Sequence, residues 1–268
     1  MATIHPSAVV DCRAEIDDGA EIGPHCVIDG LVRIGRGTRL VAQVYLRGPI
    51  VIGSGNLLYP SVCIGFAPQD LKFDATTDGP GVVVGNENLL REGVTVHRAT
   101  GQVPTTIGDR NFLMANSHLG HDVAMHNDCM LANGALVGGH VQLGDRVILG
   151  GNAVVHQFCR MGRLSILAGV TGVIKDVPPF CTVYVSKCVR SLNYIGLRRA
   201  GYRQHITPLK QAFELLYRSR LPNPAAADRI EAELSDDPLC VEFARFVREA
   251  AAHGVAPCDN TARDVITE

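Results

Sequence analysis

The sequence predicts an all-β solenoid, a parallel β-helix of hexapeptide repeats, with a C-terminal α-helical domain. Three observations carry that reading: an aliphatic beat at every sixth position, a second series of small or β-branched residues four places after each beat, and a switch to helical spacing near residue 191. The beat runs without slipping through Ile4, Val10, Ile16, Ile22, Ile28, Ile34, Leu40, Leu46, Ile52, Leu58 and Ile64. It resumes at Val84, Leu90 and Val96, then holds from Ile107 through Leu113, Leu119, Met125, Leu131, Val137, Leu143, Leu149, Val155, Met161 and Leu167 to Val173. The second series includes Ala8, Ala14, Ala20, Cys26, Val32, Thr38, Val44 and Ile50. No helix has a period of six, and the strands of a sandwich would place their turns at longer or irregular intervals.

In chain order, residues 1–190 read as the solenoid. A short strand alternates its side chains in and out, so one hexad offers one large and one small inward residue before the chain turns. Three hexads close a triangular coil, and coils stacked at about 4.8 Å line the beat residues into aliphatic columns. Glycine is frequent just after the beat, at Gly23, Gly35, Gly53, Gly65, Gly85, Gly108, Gly144 and Gly162, where the corner is expected to need tight or left-handed backbone. Two interruptions, about 66–83 and 100–106, do not fit the hexad phase and read as loops thrown out from the prism. Pro178 and Pro179 follow the last beat. From about Ser191 apolar residues fall three and four apart in LNYIGLRRAGY, ITPLKQAFELLYRS, AAADRIEAEL and LCVEFARFVREAAAHG. Residues 191–268 therefore read as a small helical bundle with a loose tail beyond about Pro257.

Composition narrows the function classes. A formal charge of −2 with 19% charged residues points to no nucleic-acid partner, and the regular polar positions of the repeat leave no stretch able to insert stably in a membrane. Met1 to Pro6 already lies within the first repeat, which leaves no room for a signal peptide, so a cytoplasmic location is expected. The nine cysteines agree with this: the number is odd, no CxxC pair occurs, and Cys26, Cys129 and Cys159 fall in the small inward slot as reduced core thiols.

Counting hexads also gathers chemistry. Assigned to three faces in rotation, the hexads beginning at Leu119, Val137 and Val155 share one face; they hold His121, His140 and His156, with His118 just ahead of the first. Counting back across the interruptions as simple bulges puts Ile64 and Val96 on that face too, so both loops leave from one edge of it. A single histidine in a repeat is ordinarily structural, but several from successive coils beside two loops point to a site. Asp122 can hold the His121 ring in one tautomer and raise its basicity. Gly138 and Gly139 open the backbone ahead of His140, so that an exposed amide there can donate to an oxyanion. The set suits acyl transfer without a nucleophilic serine or cysteine: the base deprotonates an acceptor hydroxyl, which attacks a thioester directly.

At these residues the chain resembles the acyl-ACP:UDP-N-acetylglucosamine O-acyltransferases of lipid A synthesis. The strings IGFAPQDLKF (64–73), VTVHRAT (94–100), NSHLGHDV (116–123), GGHV (138–141), VVHQFCRMG (154–162), IKDVPPF (174–180) and NYIGLRRAGY (193–202) match collinearly through solenoid, loops and helical tail. Hexapeptide repeats alone are shared by many acyltransferases; the combination QDLK, HxxHD, HQF and GLRR is specific. The resemblance implies a left-handed β-helix, against the usual crossover hand, and a homotrimer with active sites between subunits. It implies acyl carrier protein and UDP-N-acetylglucosamine as partners, the acyl group arriving as a phosphopantetheine thioester, with no cofactor and no metal. It implies that His121 is the general base for the glucosamine 3-hydroxyl, Asp122 its polarising partner and the Gly139 amide the oxyanion donor. Gln69, Asp70, Lys72 and His118 would surround the acceptor sugar and its diphosphate, and His140, His156 and Gln157 would make further substrate contacts. Asn193 and Arg199 would meet the nucleotide and phosphate from the helical part. Gly169 falls where a bulky side chain in some relatives shortens the acyl slot, so a longer hydroxyacyl chain is expected, with Ile166 and Leu167 nearby. Ile195 stands where many relatives carry an acidic residue near the nucleotide, which leaves a 3-amino sugar acceptor open.

Two other classes compete. Hexapeptide trimers include zinc hydratases of the γ-carbonic anhydrase type, for which His121 and His126 have a suggestive spacing and His97 supplies a third ligand. The helical tail, QDLK and the carboxylate beside the base stand against it. A solenoid used only for binding is disfavoured by loops and histidines meeting at one face.

Overall fold

The computed structural model of the chain describes residues 1–184, 188–250 and 254–259. Its solenoid is a triangular prism of about 10 turns. A first face of 11 strands, a second of 9 and a third of 8 run along it, paired in parallel from coil to coil except at the last strand of the first face. Leu119 pairs with Val137 and Val137 with Val155, each step 18 residues, so successive beat residues stand directly above one another. From Ile22 upward those columns are sealed from solvent, whereas Ile4, with no coil beneath it, is 45% exposed. Burial pushes the inward thiols of Cys129 and Cys159 up to about 12 and about 11, which keeps both protonated and apolar in character.

The corners differ from the expectation. Left-handed backbone falls three residues after the beat, and mostly on residues with side chains: Asn116, Asp122, Asp128, His140, Arg146, Asn152 and Phe158 all have φ between +53° and +66°. Of the glycines just after the beat, only Gly65 has positive φ. The others are demanded by the close approach of the next coil. A Cβ at Gly23 would lie 1.9 Å from the Val41 carbonyl oxygen, and one at Gly144 would lie 2.7 Å from the Arg163 amide nitrogen.

A polar ladder climbs inside the corner between the third and first faces, in the slot four places after the beat. Its rungs are Thr38, Asn56, Asn88, Asn111 and Cys129. The Asn88 amide donates to Asn56 Oδ1 at 2.9 Å, the Asn111 amide to Asn88 Oδ1 at 2.8 Å, and the Cys129 amide to Asn111 Oδ1 at 2.8 Å. Asn56 and Asn88 also donate Nδ2 to the carbonyls of Gly85 and Gly108, both at 2.9 Å. The Thr38 hydroxyl, donating to Gly53 O, and the Cys129 thiol, donating to Gly144 O, end the ladder. Buried turn amides thus find partners that the sheets do not supply.

Two excursions interrupt the coils. Ile64 pairs with Val96 and Val96 with Leu119, separations of 32 and 23 residues; against the plain step of 18, the excursions add 14 (32 − 18) and 5 (23 − 18) residues. They occupy 67–81, between strands Cys63–Phe66 and Val82–Val84, and 98–104, between Thr95–His97 and Thr105–Ile107. Both leave the corner between the second and third faces.

Beyond the prism come α1 (Tyr194–Arg199), α2 (Ile206–Tyr217), α3 (Asn223–Leu234) and α4 (Pro238–Arg248). Helical spacing begins near Ser191 in the sequence, but Val189–Leu192 is a strand antiparallel to Cys181–Val183 and prolongs the first face. Helix starts only after Asn193, whose Oδ1 accepts from the Gly196 amide at 2.9 Å as an N-cap. Arg163, paired with Glu242 at 2.6 Å, ties α4 to the prism. Arg160 does the same, holding buried Asp176 at 2.8 Å while donating to Phe246 O. Val255 bridges to Asp176 and Cys258 to Val189, and most of the tail expected to be loose beyond about Pro257, residues 260–268, lies outside the described residues. Among the described residues no helix is long and apolar enough to cross a membrane.

Candidate active site

His121 sits in the turn after strand His118–Leu119, at the corner from which both excursions leave. Asp122 follows in left-handed backbone at φ +59°, and His121 Nδ1 lies 2.7 Å from its Oδ2. The second excursion supplies the rest of that carboxylate's partners. Thr100 donates through its amide at 3.0 Å and its hydroxyl at 2.6 Å to Oδ2, and the Gly101 amide donates to Oδ1 at 2.9 Å. Burial alone would raise the pKa of Asp122. The Thr100 hydroxyl, the His121 ring and the amides of Thr100 and Gly101 outweigh it and hold Asp122 at about 2. A carboxylate ionised at neutral pH keeps the ring proton on Nδ1, which leaves Nε2 as the basic atom.

Gly139 comes from the next coil. A Cβ built there would lie 2.7 Å from both Cε1 and Nε2 of His121, so the basic edge of the ring faces glycine backbone. The expectation was an exposed amide; in the single chain Gly139 is buried, and its N–H has no acceptor among the described residues. An unengaged donor therefore stands beside the base, the arrangement an oxyanion requires.

Other histidines surround this pair. His140, at φ +60°, stacks on Phe158 with 4.6 Å between centroids, stands edge-on to His121 at 5.0 Å, and brings Nε2 to 3.7 Å from Asp122. His118 points outward from the second face, its Nδ1 2.8 Å from the Thr95 hydroxyl one coil below. His156 and Gln157 occupy the same corner one coil above His140, both exposed, with His156 Nδ1 donating to the Gln157 carbonyl at 3.1 Å. Gln69, Asp70 and Lys72 lie exposed on the first excursion, where Asp70 Oδ1 accepts the Lys72 amide.

Two members of the site were not singled out from sequence for this role. His97 stands edge-on to His118 at 4.7 Å, and burial, reinforced by the charges of His118 and His121, pulls its pKa down to about 4. Thr100 holds the Asp122 carboxylate. Both lie in the string VTVHRAT, but nothing in it reveals that the second excursion folds onto Asp122.

The zinc set is not assembled within the chain. Among the described residues, one group brings three metal-ligating atoms within 4.8 Å of one another, His121, Asp122 and His140; His97 and His126 are outside it. His126 lines a separate hollow with Gln142, Arg160 and Glu242, beside α4. The Asp122 oxygens already accept from His121, Thr100 and Gly101, which suits orienting a ring rather than holding an ion.

The remaining expected residues lie elsewhere. Gly169 is exposed in the turn between the first and second faces. Arg199 is exposed in a groove of about 750 Å³ against the first face, shared with Met130, Ile148, Ile166 and Ile195. Asn193 lines the same groove, buried, with Nδ2 donating to Leu164 O at 2.9 Å and Oδ1 capping α1. One chain thus carries two halves, a histidine corner and an apolar groove, on different edges of the prism.

A hexapeptide prism with a histidine–carboxylate pair at one corner defines the class of hexapeptide-repeat acyltransferases. A family model described as bacterial transferase hexapeptide (six repeats) matches residues 104–139, and one described as UDP N-acetylglucosamine O-acyltransferase, domain 2, matches 176–256. The acyl-[acyl-carrier-protein]–UDP-N-acetylglucosamine O-acyltransferase of Janthinobacterium sp. (strain Marseille) is 42% identical over 93% of this chain and 96% of its own length. That of Anaeromyxobacter sp. (strain K) is 43% identical over 91% and 96%. The crystal structure of the Francisella novicida UDP-N-acetylglucosamine acyltransferase superposes with a TM-score of 0.91 at 33% identity, covering 96% of this chain and 95% of that one. The chain belongs to the acyl-[acyl-carrier-protein]–UDP-N-acetylglucosamine O-acyltransferase family, and its β-helix is left-handed.

Proposed function

We propose that the chain transfers a 3-hydroxyacyl group from acyl carrier protein to the 3-hydroxyl of UDP-N-acetylglucosamine, the first step of lipid A biosynthesis. The observation that carries this is the geometry of His121, Asp122 and Gly139. Nε2 of His121 takes the proton of the acceptor hydroxyl as its oxygen attacks the thioester carbonyl. The Gly139 amide donates to the resulting oxyanion. Collapse breaks the carbon–sulfur bond, and the proton passes from His121 to the departing phosphopantetheine thiolate.

The acting species is a homotrimer. In the upper coils the outward rows of the first face (Phe112, Met130, Ile148, Ile166) and much of the second (Leu136, Val154) are apolar, whereas the third presents Gln142 and Arg160. Two apolar faces out of three suit a ring in which the first face of one copy covers the second face of the next. Such a contact brings the groove half of one subunit, with Arg199 and Gly169, toward the histidine corner of its neighbour.

The test is turnover of purified enzyme with UDP-N-acetylglucosamine and its 3-amino analogue, using acyl carrier proteins loaded with several chain lengths. His121→Ala should lower turnover roughly 100-fold or more with the oligomer intact. Faster acylation of the 3-amino sugar would replace O-acylation by N-acylation, the reading that Ile195 leaves open. Transfer to neither acceptor would overturn both.

A further inference from the structure

We propose that Arg98 is a positioning residue for the acceptor, a buried cation that fixes the first excursion at its working height over the His121–Asp122 pair. Arg98 is 1% exposed, yet among the described residues no carboxylate lies within ion-pair distance of it. Its guanidinium instead donates to two carbonyls, Gly65 O at 3.3 Å and Ala75 O at 2.9 Å, and lies 5.6 Å from the centre of the Phe73 ring. Nε has no partner, and burial with nearby Arg47 drives the pKa down from its ordinary value. Asp78 attracts the charge from a distance without outweighing burial and Arg47; a buried charge with no ion-pair contact is an unfavourable way to fill a core, and an apolar side chain of similar volume would fill it better. What an apolar side chain cannot do is join two carbonyls ten residues apart.

Those carbonyls bracket Gln69, Asp70 and Lys72. Within the excursion the bonds are short-range, Phe73 amide to Asp70 O and Thr76 to Asp74. Arg98 therefore supplies a side-chain cross-link from the excursion, at Ala75, to the prism, at Gly65, alongside the backbone bonds from the Ala99 and Thr105 amides to Gly81 O at the excursion's end. Its chain neighbours explain why position matters: His97 packs on His118, and Thr100 and Gly101 hold Asp122. Five consecutive residues thus fix the acceptor-side excursion, the sugar-side histidine and the carboxylate of the base relative to one another. Lysine keeps the charge but, as a point donor, cannot reproduce the planar fork that spans both carbonyls.

The proposal rests on the reading that the first excursion holds the acceptor, so the full-length protein is studied as Arg98→Lys, Phe73→Leu and Lys72→Ala, the last testing that reading alone. Amide hydrogen exchange is followed by mass spectrometry, and kinetics are measured with UDP-N-acetylglucosamine and acyl carrier protein varied in turn. Arg98→Lys should speed exchange within 67–81 and raise the acceptor KM roughly tenfold, with kcat and the KM for acyl carrier protein changed by less than about threefold. If Lys72→Ala raises the acceptor KM while Arg98→Lys leaves either loop exchange or that KM as in wild type, the positioning role is overturned. If Lys72→Ala leaves the acceptor KM unchanged, the acceptor reading of the excursion fails and the proposal with it. Should Arg98→Lys not fold, Phe73→Leu, which removes the stack from the loop side and leaves the prism intact, carries the same two readouts.

Discussion

Gly139→Ala separates the chemistry of the corner from its packing. The added Cβ would stand 2.7 Å from Cε1 and Nε2 of His121, where ordinary contact begins at 3.4 Å, so the ring must retreat by about 0.7 Å (3.4 − 2.7). It has little freedom to do so, because Nδ1 is held at 2.7 Å by an Asp122 that Thr100 and Gly101 already anchor. A base misplaced by this order of distance costs about 100-fold in turnover, or about 2.7 kcal/mol on the barrier. The main-chain amide survives the substitution, so the loss would report the displaced base rather than a missing oxyanion donor. Gly138→Ala is the control. Its Cβ would meet the Gln157 amide nitrogen at 2.7 Å and the Val155 carbonyl oxygen at 3.1 Å, main-chain atoms of the next coil that cannot step aside. That variant should lose about 1–3 kcal/mol of stability while its folded fraction loses less turnover than that of Gly139→Ala, because the His121 ring is not displaced. The assay is kcat at saturating donor and acceptor beside thermal unfolding of each variant. Wild-type turnover by Gly139→Ala, or loss of Tm and activity in step, would refute the placement of His121 against that glycine.

Stability should also fall with pH through His97. Its folded pKa of about 4 lies below the ordinary 6.5, so the unfolded chain binds the proton first, and the stabilisation is whole above pH 6.5 and lost as pH falls toward 4. The gap of 2.5 (6.5 − 4) bounds the effect at about 3–4 kcal/mol, reduced by the solvent that half-buried His97 still meets, and His97→Asn should flatten the slope of unfolding free energy between those pH values; an unchanged slope would remove His97 from the account. Gly169→Met, at the exposed turn between the first and second faces, adds side-chain volume where each displaced methylene of a buried acyl chain is worth about 0.8 kcal/mol. Preference should shift to shorter 3-hydroxyacyl donors, and a wild-type chain-length profile would take Gly169 out of the slot.

The histidine corner was legible because solenoid geometry is arithmetic. Once every coil takes 18 residues, Leu119, Val137 and Val155 must stack, and even the excursions kept Ile64 and Val96 in that column. The corner chemistry was less legible, since left-handed backbone and glycine do not coincide in these turns. Asp122, His140 and Phe158 show that a polar or aromatic residue can occupy the left-handed position, while glycine serves the approach of neighbouring coils. Partners supplied by an irregular segment, such as Thr100 for Asp122 or Arg98 for Gly65 and Ala75, follow no period and so leave no trace in a pattern. The division of the expected site between two edges of one chain is likewise invisible in spacing, because Arg199 belongs to α1, whose start is tied to the prism by Asn193 donating to Leu164 O and Phe180 O, residues far from it in sequence.

The asparagine ladder constrains how chains of this architecture can change length. A solenoid grows or shrinks by whole coils, and a duplicated coil below Thr38 or above Cys129 would add 18 residues without severing a rung. Between those limits an inserted coil must bring its own hydrogen-bonding residue in the right slot, or leave the buried amide of the rung above it without an acceptor. Both excursions and the His121 corner lie on this stretch. Descent with variation should therefore preserve the spacing between excursions and corner while leaving the N-terminal end of the prism free to lengthen or shorten.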